Sequence, residues 1–195
     1  MTAEEFKIAW RPDEEFFQWT EFPPEELAKT DLSGQTKSFL AYGFPEDAAP
    51  FLSFGLRSHD WKLYNMDNVP YYSHHELGAT AKNYWLIGSD GSGNPICLDT
   101  GNAERIVLLD HESGFELMDT MNASIIELAQ SLLAYRGFIE QVNEEYGEDG
   151  FFDSKYTRAQ VEELKRTFTE INPNIFNESS FWEQEVNMLS EEASS

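Results

Sequence analysis

The spacing of apolar positions changes twice along the chain and divides it into three stretches. In the first, short apolar clusters are interrupted by prolines. Pro23-Pro24-Glu25-Glu26-Leu27 predicts a helix start, with proline tolerated in the first turn and acids near the positive helix end. Ser33 is placed to cap a second helix over 35–42, which sets Thr36, Phe39 and Leu40 on one face and stops at Gly43 ahead of Pro45. Phe51-Leu52-Ser53-Phe54 reads as a strand.

From Tyr84 to Asp119 the period shortens. Tyr84-Trp85-Leu86-Ile87, Pro95-Ile96-Cys97-Leu98, Ile106-Val107-Leu108-Leu109 and Phe115-Glu116-Leu117-Met118 are separated by turn residues, with no room for crossover helices. They predict an antiparallel meander, with the segment from Gly88 to Gly93 as its first connection and His111-Glu112-Ser113-Gly114 as its last. In the final third, Ser124 and Glu127 have capping-box spacing. Ile125, Leu128, Leu132, Tyr135, Ile139, Val142 and Tyr146 then recur every three or four residues, as in a long amphipathic helix lying across the sheet. After a break at Gly147–Gly150, Thr157 and Gln160 cap another helix carrying Val161, Leu164 and Phe168 as far as Asn172-Pro173. Ser180 and Glu183 repeat the device before Val186 and Leu189, and the tail from Ser190 is expected to fray. The expected fold class is α+β, an antiparallel meander packed by helices, with a helical C-terminal third.

A chain of 195 residues with 41% apolar content is long enough to bury a core as one domain. That domain is expected to span 1–195, with a core over about 24–146 and helices over 157–189 packing on it. No internal repeat or low-complexity tract divides it. The 36 acidic and 13 basic residues give a net charge of −23, a field that repels nucleic-acid phosphates and anionic membranes and favours basic partners. The same acidity also serves solubility. The only cysteine, Cys97, excludes an internal disulfide and fits a reducing compartment. The start, Met1-Thr2-Ala3-Glu4-Glu5-Phe6, carries no basic segment followed by an apolar run, and no stretch approaches the ~18 apolar residues of a membrane span. A cytoplasmic location without membrane association is expected.

Candidate chemistry is sparse. The glycine-rich loop after Ile87 lacks a P-loop lysine and precedes a strand, where a phosphate site needs a helix N-terminus. Asp90, Ser92 and Asn94 mimic the first ligands of a calcium loop, but Gly101 stands where the bidentate Glu belongs, and a tight turn explains the same letters. His59, His74, His75 and His111 include no chelating pair at helical spacing. Cys97, between Ile96 and Leu98 with no base in its strand, reads as a core thiol. Paired carboxylates are too abundant here to diagnose catalysis. No nucleophile–base–orienter set emerges, so neither enzymatic activity nor a cofactor or metal is expected.

The block Tyr84-Trp85-Leu86-Ile87-Gly88-Ser89-Asp90-Gly91-Ser92-Gly93-Asn94-Pro95-Ile96-Cys97-Leu98-Asp99 resembles the SMI1/KNR4 (SUKH) superfamily, with its aromatic-apolar strand, Gly-rich hairpin and second strand ending in Asp. In order around it, Leu52-Ser53-Phe54-Gly55 looks like the upstream strand and Val107-Leu108-Leu109-Asp110-His111-Glu112 like the next one. Asn122-Ala123-Ser124-Ile125-Ile126-Glu127-Leu128 looks like the Asn-x-Ser start of the closing helix. That signature and the later Phe181-Trp182-Glu183 are most similar to the SUKH-4 branch, and the resemblance covers roughly 24–189. Where the family often has Gly-Asp after the loop, this chain has Gly93-Asn94. The resemblance implies a bacterial immunity protein that sequesters a polymorphic toxin, often a nuclease. The expected partner is a basic toxin domain encoded nearby. Some relatives look like scaffolds, which leaves a regulatory adaptor as the alternative. The oligomeric state stays open, with a monomer expected.

Candidate partner-binding residues are Asp60, Trp61, His74, His75, Asp110, His111, Glu112 and Glu116. Asp60-Trp61, near Arg57 and His59, has the composition of an interface hot spot, against which stands the burial habit of large aromatics. Asp110, Glu112 and Glu116 flank the last hairpin, where they would meet toxin arginines or serve as ordinary turn-end charges.

Overall fold

The computed structural model describes residues 1–11, 18–55, 63–69 and 80–194. It opens with a helix the sequence reading did not assign, α1 (Ala3–Trp10), although its signal is legible. Thr2 accepts from Glu5 N at 3.1 Å, and the Glu5 carboxylate accepts from Thr2 N at 2.7 Å, a complete capping box. Phe6 and Trp10 bury the inner face. After β1 (Trp19–Thr20) come α2 (Pro24–Leu27) and α3 (Gly34–Tyr42). Ser33 caps α3 through Thr36 N, and Thr36, Phe39 and Leu40 are buried, as their spacing predicts. β2 (Phe44–Pro45) returns to pair with β1.

The remaining strands form one six-stranded antiparallel sheet in chain order: β3 (Asp47–Ala48), β4 (Leu52–Phe54), β5 (Tyr84–Asp90), β6 (Pro95–Asp99), β7 (Arg105–Asp110) and β8 (Glu116–Asn122). The predicted meander is its β5–β8 portion. Alternation along the strands divides the side chains between two apolar layers. Ile87, Ile96, Leu98, Ile106 and Leu108 join the helical side, while Leu86, Cys97, Val107 and Leu109 face a smaller cluster with Met66, Val69, Ala81 and Phe115. Every residue of β6 is buried, which explains a run of apolar letters where a half-exposed strand would alternate.

Three strand boundaries differ from the sequence reading. Phe51 is not in β4; it lies in the preceding turn at φ +56 and is 80% exposed. Gly88, Ser89 and Asp90 belong to β5 and pair with β4, leaving the β5–β6 turn to start at Gly91. Gly88 has a steric reason to be glycine: a Cβ there would lie 2.2 Å from the Ser53 carbonyl oxygen. Phe115 precedes β8 at φ +65, its N–H donating to Asp110 O at 2.7 Å, and its ring fills the smaller cluster.

Four helices close the structure: α4 (Ile125–Tyr146), α5 (Arg158–Ile171), α6 (Ile175–Glu178) and α7 (Ser180–Glu192). Ser124 caps α4 at Glu127 N, but the Glu127 carboxylate reaches Ala123 N and not the cap residue itself. The Thr157–Gln160 capping box of α5 forms in full. The cap of α7 is Ser179 and not Ser180, because Asp119 of β8 accepts from Ser180 N at 3.2 Å and Phe181 N at 2.6 Å and so holds Ser180 inside the helix. Nor does the tail fray as far as Ser194, whose N–H donates to Tyr156 O at 3.1 Å and whose carbonyl accepts from Arg158 N at 3.2 Å. The buried apolar side chains of α1, α3, α4, α5 and α7 all belong to the larger apolar cluster.

Candidate functional site

Asp60, Trp61, His74 and His75 lie outside the described residues. Asp110, His111, Glu112 and Glu116 do come together, around the β7–β8 turn at one end of the sheet. There the Asp110 carboxylate is occupied in shaping the turn: it accepts from Glu112 N at 2.9 Å, Ser113 N at 3.2 Å and Ser113 Oγ at 2.7 Å. These bonds, the Ser113 hydroxyl first, hold its pKa below the ordinary value. Glu112 and Glu116 are exposed.

His111 is fixed by the neighbouring turn. Asn94 Oδ1 accepts from His111 N at 3.2 Å and lies 2.7 Å from His111 Nδ1, while Asn94 Nδ2 donates to Asp90 Oδ2 at 2.9 Å. One carboxamide thus ties the two adjacent hairpins together with its acceptor on one side and its donor on the other. An aspartate at 94 would have no N–H to offer Asp90, so the Asn at this position, and not an acid, matches its surroundings. The loop that mimics calcium ligands is satisfied internally, Asp90 Oδ1 also accepting from Ser92 N and Asn94 N. Cys97 is fully buried, and burial, then Asp99, pushes its thiol well above the ordinary range.

Sequence reasoning missed a second surface. Between the β3–β4 hairpin, the α4–α5 loop and α7 lies an open groove of about 690 Å³. Its floor contains Tyr135 and Tyr156, part of an aromatic cluster in which Phe151 stacks on Tyr156 with centroids 5.6 Å apart and meets Phe138 edge-on at 6.0 Å. Above that floor Phe51, Phe152 and Met188 remain 80%, 83% and 46% exposed. Single exposed apolar side chains are ordinary; several lining one concavity mark a contact surface.

The groove is also acidic. Tyr156 Oη donates to Glu192 Oε2 at 2.9 Å and Tyr135 Oη to Glu185 Oε2 at 3.4 Å. Glu185 is half-buried and, among the described residues, takes part in no ion pair, and burial raises its pKa. Burial, then the Glu192 hydrogen bond, raises the Tyr156 hydroxyl to about 12. Among the described residues no lysine or arginine lines the groove. The positions contributing to it are scattered from 47 to 192, so the sequence signals were individual: two adjacent phenylalanines in a polar loop, and one beside Pro50.

The described helices include none long and apolar enough to cross a membrane. A family model described as SUKH-4 immunity protein matches residues 9–191, a longer span than the motifs alone suggest. The comparisons with curated proteins and with solved structures gave no match.

Proposed function

This chain belongs to the SUKH-4 immunity protein family, and from that premise we propose that it protects a bacterial cell by binding a polymorphic toxin directly in the cytoplasm and blocking the toxin's action. The family match over nearly the whole chain carries this reading, and the net charge of −23 supports it by favouring a basic toxin domain, as nucleases tend to be. The protein acts by occupancy. Attraction between opposite fields speeds the encounter, and a small set of buried aromatic and charge-paired contacts then sets how long the complex lasts.

The test is co-expression with each toxin candidate encoded beside the gene. Growth should be restored by one of them, and the two proteins should purify together. Continued killing in every pairing would end the immunity reading.

A further inference from the structure

The groove between the β3–β4 hairpin and α7 combines exposed apolar area with a half-buried carboxylate. Its exposed Phe51, Phe152 and Met188 offer apolar area that no element among the described residues covers. Its Glu185 carboxylate has lost part of its hydration and gained only a long tyrosine hydrogen bond in return. The carboxylates are oriented from below by Tyr135 and Tyr156, both buried. Phe51 is approached closely from the side: a Cβ on Gly91 would stand 3.0 Å from the Phe51 Cβ, so any other residue at that place in the β5–β6 turn would have to displace it by a few tenths of an ångström. A non-glycine residue at φ +56 costs on the order of 1–2 kcal/mol, and here that strain presents a ring to solvent and not to the core.

We propose that this groove seats a cationic segment of the toxin, with an arginine or lysine head group facing Glu185 and Glu192 and its aliphatic stem against Phe51 and Phe152. The identity of the partner rests on the immunity reading; the chemistry of the groove does not. A cation supplies the charge that the half-buried carboxylate lacks, and the aromatic faces add cation–π attraction and exclude water from the ion pair. A second copy of this chain is a poor occupant, because it brings the same acidic rim and a charge of −23 against −23.

Two charge-matched double variants of the full chain test this: Glu185→Gln with Glu192→Gln in the groove, and Glu112→Gln with Glu116→Gln at the hairpin end. Against a toxin that the unchanged protein neutralises, the groove pair should weaken binding about tenfold or more, and the hairpin pair less than about threefold. Phe152→Ala, an exposed change that leaves the core intact, should match the groove pair. Equal weakening by both pairs would reduce the groove to a share of the general field and overturn the proposal. If the unchanged protein holds none of the neighbouring toxins, the immunity reading fails and a triarginine peptide decides the groove, read by amide shifts in ¹⁵N-labelled protein. Shifts centred on Phe51, Gly91, Phe152 and Ser154, and lost in the groove pair, support the proposal. Shifts centred elsewhere, or unchanged in that variant, refute it, as would a dimer that separates on Phe152→Ala.

Discussion

Asn122 lies buried where the sheet, α4 and α7 meet. Its Oδ1 accepts from Trp182 Nε1 at 3.1 Å and its Nδ2 donates to Ser131 Oγ at 3.1 Å. The Asn-x-Ser signature and the distant Phe-Trp-Glu segment, which look unrelated in sequence, are therefore halves of one contact. Asn122→Ala would strand a buried indole N–H and a buried hydroxyl, and should cost about 2–4 kcal/mol, measured by chemical denaturation. Glu185 predicts the opposite kind of effect. Its pKa is raised on folding, so the folded state holds the proton more tightly than the unfolded chain does. The contribution of this residue to stability then falls as pH rises from the ordinary glutamate range through the raised value. Glu185→Gln should remove that slope and leave the protein at least as stable at neutral pH, while toxin binding weakens. A loss of stability at pH 7 in this variant would assign Glu185 a structural role.

At the scale of elements, the C-terminal strand-like pairing fixes the groove floor. Ser194 accepts from Arg158 N and donates to Tyr156 O, joining the end of α7 to the start of α5 directly beneath Glu192. Removing residues 193–195 should lower stability by about 2–4 kcal/mol, the worth of three backbone hydrogen bonds and the Ser194 hydroxyl bond to Tyr156 O. Amide exchange at 156–161 should also quicken, and toxin affinity should drop, because Tyr156 would no longer hold its hydroxyl under the carboxylate. Unchanged exchange there would show that the capping box and the Tyr156 side chain suffice. The long helix carries a second such tie: buried Arg136 of α4 donates to the Trp10 carbonyl, packs over the Trp10 ring at 4.8 Å and meets Glu140 at 2.8 Å, docking α1 on α4.

Across the whole molecule the dominant quantity is charge. With −23 spread over 195 residues, long-range attraction should act mainly on the encounter and be screened once the Debye length shrinks to a few ångströms. Raising salt from 50 to 500 mM should slow association with the toxin on the order of tenfold or more, while dissociation, governed by desolvated contacts, changes little. Stopped-flow measurement at several ionic strengths separates the two rates. A salt effect carried by dissociation would place the charge pairs at an exposed rim and not in the groove.

The sequence by itself determined the meander, the long helix α4 and the capped helix α5, because hydrophobic period and, at Ser124 and Thr157, N-cap chemistry are local properties. It also determined that Cys97 is core, since both its neighbours and its strand are apolar. The pairing of the sheet decided that Gly88–Asp90 extend β5, and the position of Asp119 decided that Ser179 caps α7. The groove belongs wholly to the tertiary structure: whether Phe51 or Phe152 is buried depends on which segments lie beside it, and positions 47–53, 91, 135–139, 151–156 and 185–192 become neighbours only when the sheet edge and the last helix close around the α4–α5 loop.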